Sequence, residues 1–225
     1  MLFAVAAIAA GIWFFLAIAG EVREGDTQSF DKALLLSMRR PGDLAPKGSE
    51  AFQEVARDVT ALGGSLVLTL VTLITAGFLW LDGKGRMATF VGLSVGTGTL
   101  LSTLLKDLFH RARPDLVPHG MHVSSASFPS GHSMLSAVTY LTIAALLARS
   151  HERRPVKVYF LLVALVLMLM IGVSRVYLGV HWPTDVLAGW TAGAVWALLC
   201  WLIARWLQNR HRLETETEHS PEVGS

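Results

Sequence analysis

The 225-residue chain holds one cysteine, Cys200, so no intrachain disulfide can form. Cys200 stands inside an apolar run, where a thiol serves as small apolar filler. Charge is scarce as well. Only 16% of the residues are Asp, Glu, Lys or Arg, against the ~25% usual in soluble domains. The net charge of +2 is too small for a nucleic-acid-binding surface. No tight cluster of His, Cys and acidic residues has metal-ligand spacing, so neither a metal nor another cofactor is expected. Internal repeats, low-complexity tracts and soluble-domain boundaries are all missing.

What is abundant is apolar sequence, at 52% of the chain. It falls into six runs, at about 1–20, 62–81, 87–105, 131–148, 158–176 and 184–206. A bilayer crossing needs about 20 such residues. The first run, MLFAVAAIAAGIWFFLAIAG, carries no charge. Ala17-Ile18-Ala19 looks like a signal-peptide cleavage site, but no Lys or Arg precedes the apolar stretch, so an uncleaved span is expected. The predicted fold is all-α: a six-span transmembrane helix bundle forming one domain over 1–207. A polar tail over 208–225 is expected to be disordered. Gly92 and Gly96, and likewise Gly189 and Gly193, are spaced four apart, which lets a neighbouring helix approach closely.

Residues 21–61 are mixed. Phe30, Ala33, Leu34 and Met38 recur at helical spacing, and Pro41-Gly42 ends that segment. Ser49 is placed to cap a second helix with Phe52, Val55, Ala56 and Val59 on one face. Both read as short amphipathic helices lying at the membrane interface, in the first outer loop. Lys84 and Arg86 lie in one short connection, Arg149, Arg153, Arg154 and Lys157 in another, and Arg205, Arg210 and Arg212 beyond the last span. With six spans these all fall on one side, which the positive-inside rule makes cytoplasmic. Both termini are then cytoplasmic in a multi-pass protein of the cell membrane. Residues 106–132 and 174–185 share the extracytoplasmic (periplasmic) face.

Those two outer segments carry the chemistry. In SRVYLGVHWPTD (Ser174–Asp185), Arg175 offers a planar fork of donors to a phosphate. His181 is suited to be a nucleophile or a proton carrier. Pro183 suits a first helical turn. A helix opening near Trp182 brings His181 and Asp185 to one side, where a carboxylate fixes the imidazole tautomer. In KDLFHRARP (Lys106–Pro114), Lys106 and Arg113 are seven apart, two turns along one helix face. His110 and Arg111 read as ordinary juxtamembrane residues. In FPSGHS (Phe128–Ser133), Ser130 is a natural N-cap and Gly131 opens backbone N–H groups to an anion. His132 then stands beside a bound phosphate, placed to donate a proton. His119, His122, His151, His211 and His219 match no such position and read as surface residues.

K-x6-R-P, P-S-G-H and S-R-x5-H-x3-D, in this order, resemble the three signature motifs of the type 2 phosphatidic acid phosphatase superfamily, which includes bacterial acid phosphatases and vanadium haloperoxidases. The motifs cover Lys106–Asp185, and every motif position matches. The resemblance implies catalytic roles for three residues. His181 attacks phosphorus and becomes a phosphohistidine, Asp185 orients it, and His132 protonates the leaving oxygen and later activates water. It further implies that Lys106, Arg113 and Arg175, with Ser130 and the Gly131 amide, hold the phosphoryl oxygens. Three fixed cations and a helix N-terminus compensate equatorial charge without a metal. The activity implied is a metal-independent, integral-membrane lipid phosphatase, with a lipid phosphate monoester or diphosphate as substrate and the membrane as its setting. The alternative is a phosphotransferase of the same fold that passes the group to a lipid hydroxyl. A haloperoxidase is opposed by the six spans, and a non-catalytic protein by the intact His132, His181 and Asp185.

Overall fold

The computed structural model of the protein describes residues 1–117 and 125–218, with side chains as far as Leu207 in the last helix. Among the described residues the regular structure is helical: α1 (Leu2–Glu24), α2 (Gln28–Ser37), α3 (Glu50–Ala61), α4 (Ser65–Leu81), α5 (Gly85–Phe109), α6 (Gly131–Arg149), α7 (Arg154–Tyr177) and α8 (Pro183–Glu218). Helices α1, α5, α6, α7 and α8 are each long and apolar enough to cross a membrane. A sixth crossing is made if α3 and α4, bent by 48° at their junction, act as one broken span. The sequence places that crossing at 62–81, but its apolar helix starts at Ser65. The chain is broken just before it, at Gly63 and Gly64. A Cβ on Gly63 would stand 2.4 Å from Ile171 Cγ2 and 3.4 Å from the His132 carbonyl, so only glycine lets this corner approach α6 and α7.

Helix α6 is the hub and packs against α4, α5, α7 and α8, while α1 packs against α8. Most of the side chains it buries are small or polar, namely Ser133, Ser136, Ala137, Thr139, Thr142 and Ala144, with Met134 and Val138 as the larger apolar ones. Small residues let helix backbones meet closely where lipid supplies no hydrophobic drive. Gly189 and Gly193 complete that contact from α8. A Cβ on either would meet a backbone oxygen of α6, at 2.7 Å from Ser130 and 2.4 Å from Met134. Gly92 and Gly96 make no such contact, because nothing lies within 4 Å of a Cβ at either. Gly98 takes that part in α5, against Val138 and Trp196. Large apolar side chains such as Leu66, Leu73, Ile74, Leu93, Leu100 and Tyr159 point outward, as a bundle solvated by hydrocarbon requires.

Among the polar parts one expectation is corrected, that for the C-terminal tail. Helices α2 and α3 form, and each turns large apolar side chains outward while burying a mixed face. Phe30, Leu34, Phe52 and Val55 are exposed, whereas Thr27, Asp31, Leu35, Ala56 and Thr60 are buried. Distant polar partners hold the buried sides, Arg111 on Asp31 and Arg175 on Thr60. At the other end, α8 continues as helix to Glu218, where the sequence reading begins a tail without structure at 208. The last apolar span simply runs on into good helix formers.

Candidate active site

Helix α7 ends in a tight corner that explains the opening of the key motif. The Val180 N–H reaches the Arg175 carbonyl at 3.2 Å and the Gly179 N–H reaches that of Val176 at 3.0 Å. This is a Schellman closure with Gly179 at φ 75°. Three residues later α8 begins at Pro183, a first helical position that needs no N–H donor. Asp185, in the first turn, accepts the Trp182 backbone N–H at 2.9 Å. That is the reciprocal half of a capping box, and the helix dipole favours its charge there. The same carboxylate oxygen lies 3.4 Å from His181 Nδ1. One helix start therefore sets both members of the His–Asp pair. Both are buried, at 1% and 0% exposure.

Ser127 completes the pair. Its hydroxyl donates to Asp185 Oδ2 and lies 3.3 Å from His181 Nδ1. On the other side of the ring, Arg113 Nη1 lies 3.1 Å from His181 Nε2. A guanidinium has only donors, so Nε2 must present its lone pair and Nδ1 must carry the hydrogen. Burial drives the His181 pKa down to about 3, with Arg175 and Arg113 adding to the effect. The hydrogen bond and charge of Asp185 oppose it. The ring is neutral at physiological pH.

Arg113 does not share a helix face with Lys106. Helix α5 stops at Phe109, and His110 turns left-handed at φ 46°. The chain then folds back, so that Arg113 donates to the Val180 carbonyl at 2.6 Å and to the Ser125 carbonyl at 2.8 Å. Burial lowers its pKa and nearby Asp185 raises it. Lys106, in the last turn of α5, donates to the Ala126 carbonyl at 2.5 Å. Arg175 is 1% exposed and donates to Thr60 Oγ1 at 3.1 Å. Ser130 caps α6, and its Oγ accepts from Ser133 N at 3.5 Å and from Ser133 Oγ at 3.0 Å. A Cβ on Gly131 would stand 3.4 Å from Lys106 Cε, so that cation lies over the start of α6. His132 sits against the Gly63–Gly64 corner, within electrostatic reach of Arg175, His181, Lys106 and Arg113. All eight residues singled out from the sequence thus meet at one end of the bundle.

Arg111 is no ordinary juxtamembrane charge. It bridges Asp185 Oδ1 at 2.6 Å and Asp31 Oδ2 at 2.7 Å, with the two carboxylate side chains 0% and 1% exposed. Asp31 also accepts from the Thr184 N–H at 3.0 Å and from its hydroxyl at 2.7 Å. The sequence reading missed Ser127, Thr60 and Asp31. Asp31 gave one signal, an acid set among Phe30, Ala33 and Leu34 in a short helix. Among the remaining histidines, His151 is exposed. His119, His122 and His219 lie outside the described residues, as does the side chain of His211.

Fold and site together define a multi-pass helical membrane protein with a buried His–Asp pair ringed by cations at one end. Residues 87–209 match the family model of the PAP2 superfamily, and the chain belongs to that superfamily. It is 37% identical over 193 residues to phosphatidylglycerophosphatase B of Bacillus subtilis, spanning 80% of this chain and 86% of that one. It is 34% identical over 182 residues to a lipid A 1-phosphatase of Rhizobium etli, spanning 69% and 74%. The crystal structure of a transmembrane PAP2-type phosphatidylglycerolphosphate phosphatase from Bacillus subtilis superposes with a TM-score of 0.74 at 33% identity. That match covers 88% of this chain and 96% of that one. These relatives are membrane lipid phosphatases and support a phosphatase here.

Proposed function

We propose that the protein hydrolyses a lipid phosphate monoester or diphosphate through a phosphohistidine formed on His181. The observation that carries this reading is the His181 ring, with Nδ1–H held toward Asp185 and the Nε2 lone pair presented among cations. In the first step the lone pair forms a bond to phosphorus and the bond from phosphorus to the lipid oxygen breaks. His132 gives its proton to that leaving oxygen. As phosphorus arrives, Arg113 exchanges the imidazole for a phosphoryl oxygen. Lys106, Arg175, Ser130 and the Gly131 amide take up the other equatorial charge. In the second step His132 takes a proton from water, the water oxygen bonds to phosphorus, and the bond to His181 breaks. Asp185 keeps the ring oriented throughout.

The Lys/Arg distribution of the short connections supports a site on the extracytoplasmic face. There α2 and α3 lie at the lipid interface, their exposed Phe30, Leu34, Phe52 and Val55 toward headgroups. The relative that aligns over most of both chains is named a phosphatidylglycerophosphatase, so phosphatidylglycerophosphate heads the substrate panel. The test uses purified protein, radiolabelled lipid phosphates, excess chelator and a vanadate titration. The expected results are acid-labile labelled protein in wild type but not in His181→Ala, release of inorganic phosphate, and turnover unaffected by chelator. Vanadate, which adopts the five-coordinate geometry of the transition state, should inhibit more strongly than phosphate. Label transferred to a lipid hydroxyl would make the protein a phosphotransferase instead. Activity abolished by chelator and restored by Mg²⁺ would overturn the metal-free mechanism.

A further inference from the structure

A cleft of about 830 Å³ opens at the end of the bundle opposite the candidate active site. It lies between the N-terminal half of α5 and the C-terminal halves of α6 and α8. The walls are apolar, built by Phe90, Leu93, Leu146, Leu198 and Trp201. Sites of ~300–1,000 Å³ with such walls hold ligands of several hundred daltons. Two features of this cleft point to a ligand with a charged end. Arg86 and Arg149, the second residue of α5 and the last of α6, both line it and are exposed. Neither makes an ion pair or a side-chain hydrogen bond within the described residues. A third cation, Arg205, stands 5.3 Å over the ring of Trp201. Deeper in, Thr142 is 3% exposed and lines the same space, and its Oγ1 has no hydrogen-bond partner. A buried hydroxyl without a partner is costly and rare.

We infer that this cleft binds an anionic glycerophospholipid from the leaflet opposite the active site. The acyl chain lies along the apolar walls, the phosphate meets Arg86 and Arg149, and an ester carbonyl accepts from Thr142. A free phosphate ion would satisfy the arginines but leave the walls and Thr142 unmet. The ligand is a phosphodiester held far from His181, so the site is independent of the proposed hydrolysis.

Native mass spectrometry of detergent-solubilised full-length protein, titrated with phosphatidylglycerol or phosphatidylcholine, tests this. Wild type and His181→Ala should both retain one phosphatidylglycerol in preference to phosphatidylcholine. Each arginine is worth roughly fivefold in affinity for a net anionic lipid, a gain that the choline cation of phosphatidylcholine offsets, so R86Q/R149Q should weaken phosphatidylglycerol by about 30-fold and erase the preference. Both positions are exposed, so the double variant should fold, and R86K/R149K should keep the preference. Thr142→Val should weaken both lipids alike, because both carry the ester. Equal binding of the two lipids by wild type, or an undiminished preference in R86Q/R149Q, would overturn the assignment.

Discussion

Arg111 carries the largest expected stability effect of any residue the sequence reading passed over. It is the shared cation between Asp31 and Asp185, whose side chains are 1% and 0% exposed. Arg111→Met fills similar space but leaves two carboxylates facing each other with no cation. Removing one partner of a buried ion pair costs ~3–5 kcal/mol, because the remaining charge is left uncompensated. For a chain of this size that is a fall in Tm of about 6–20 °C. Adding Asp31→Asn takes away one of the two orphaned charges, while the amide oxygen still accepts from Thr184. The double variant should therefore be more stable than Arg111→Met alone, with a coupling of ~1–3 kcal/mol. Activity should not follow stability. Asp185 loses its Oδ1 anchor in both variants, so kcat stays depressed in the double variant while Tm recovers. The assays are thermal unfolding in detergent and turnover of a soluble short-chain lipid phosphate. An Arg111→Met variant within 0.5 kcal/mol of wild type would place this network with exposed surface pairs. Additive effects of the two substitutions would equally refute the shared-cation account.

Three further outcomes are expected. His132→Ala should cost far more on a lipid phosphate than on an aryl phosphate, whose leaving group needs no proton, and equal losses would remove His132 as the acid of the first step. For His181 the folded pKa of about 3 lies below the ordinary 6.5. The unfolded chain thus binds a proton that the folded chain refuses, so this stabilisation is complete above pH 6.5 and is lost as pH falls toward 3. Between pH 6.5 and 4.5 the Tm of wild type should fall more than that of His181→Asn, and parallel curves would refute the assignment. On a Cys200→Ser background, a membrane-impermeant thiol reagent applied to intact cells should label Ser125→Cys and spare Arg153→Cys, and the reverse pattern would invert the proposed topology.

Much of the bundle was legible because a membrane helix announces itself locally. A run near 20 apolar residues has one use, and five of the six runs became single long helices. The motif residues were legible for a related reason. Ser130, Pro183 and Asp185 each act within one helical turn, as caps or first-turn residues. What failed depended on partners far away in sequence. The buried contacts of α2 and α3 were not legible because Asp31 and Thr60 answer to Arg111, Thr184 and Arg175, from 80 to 153 residues away. The helical relation of Lys106 to Arg113 failed because α5 ends at Phe109. No glycine or proline marks that stop. His110 takes the left-handed cap that a glycine usually signals.

The same contrast explains why the cation ring and the His–Asp pair come from different kinds of sequence signal. Asp185 is fixed by the Trp182 N–H within its own turn, by the Ser127 hydroxyl from 58 residues away and by Arg111 from 74 residues away. The Trp182 and Ser127 bonds set the direction of the carboxylate, and Arg111 balances its charge. Either alone leaves a defect. Without the cap, Oδ2 is held toward His181 by Ser127 alone. Without Arg111, a buried carboxylate faces Asp31 across a gap that no water fills cheaply. A His–Asp pair can thus be spelled in five residues of sequence, but keeping it charged inside a membrane bundle requires α2, the turn after α5 and α8 to meet. That requirement gives the loop between α1 and α4 a structural task, because Asp31 sits in it. Through Arg111 it ties the first third of the chain to residues that the motifs alone place in the last third.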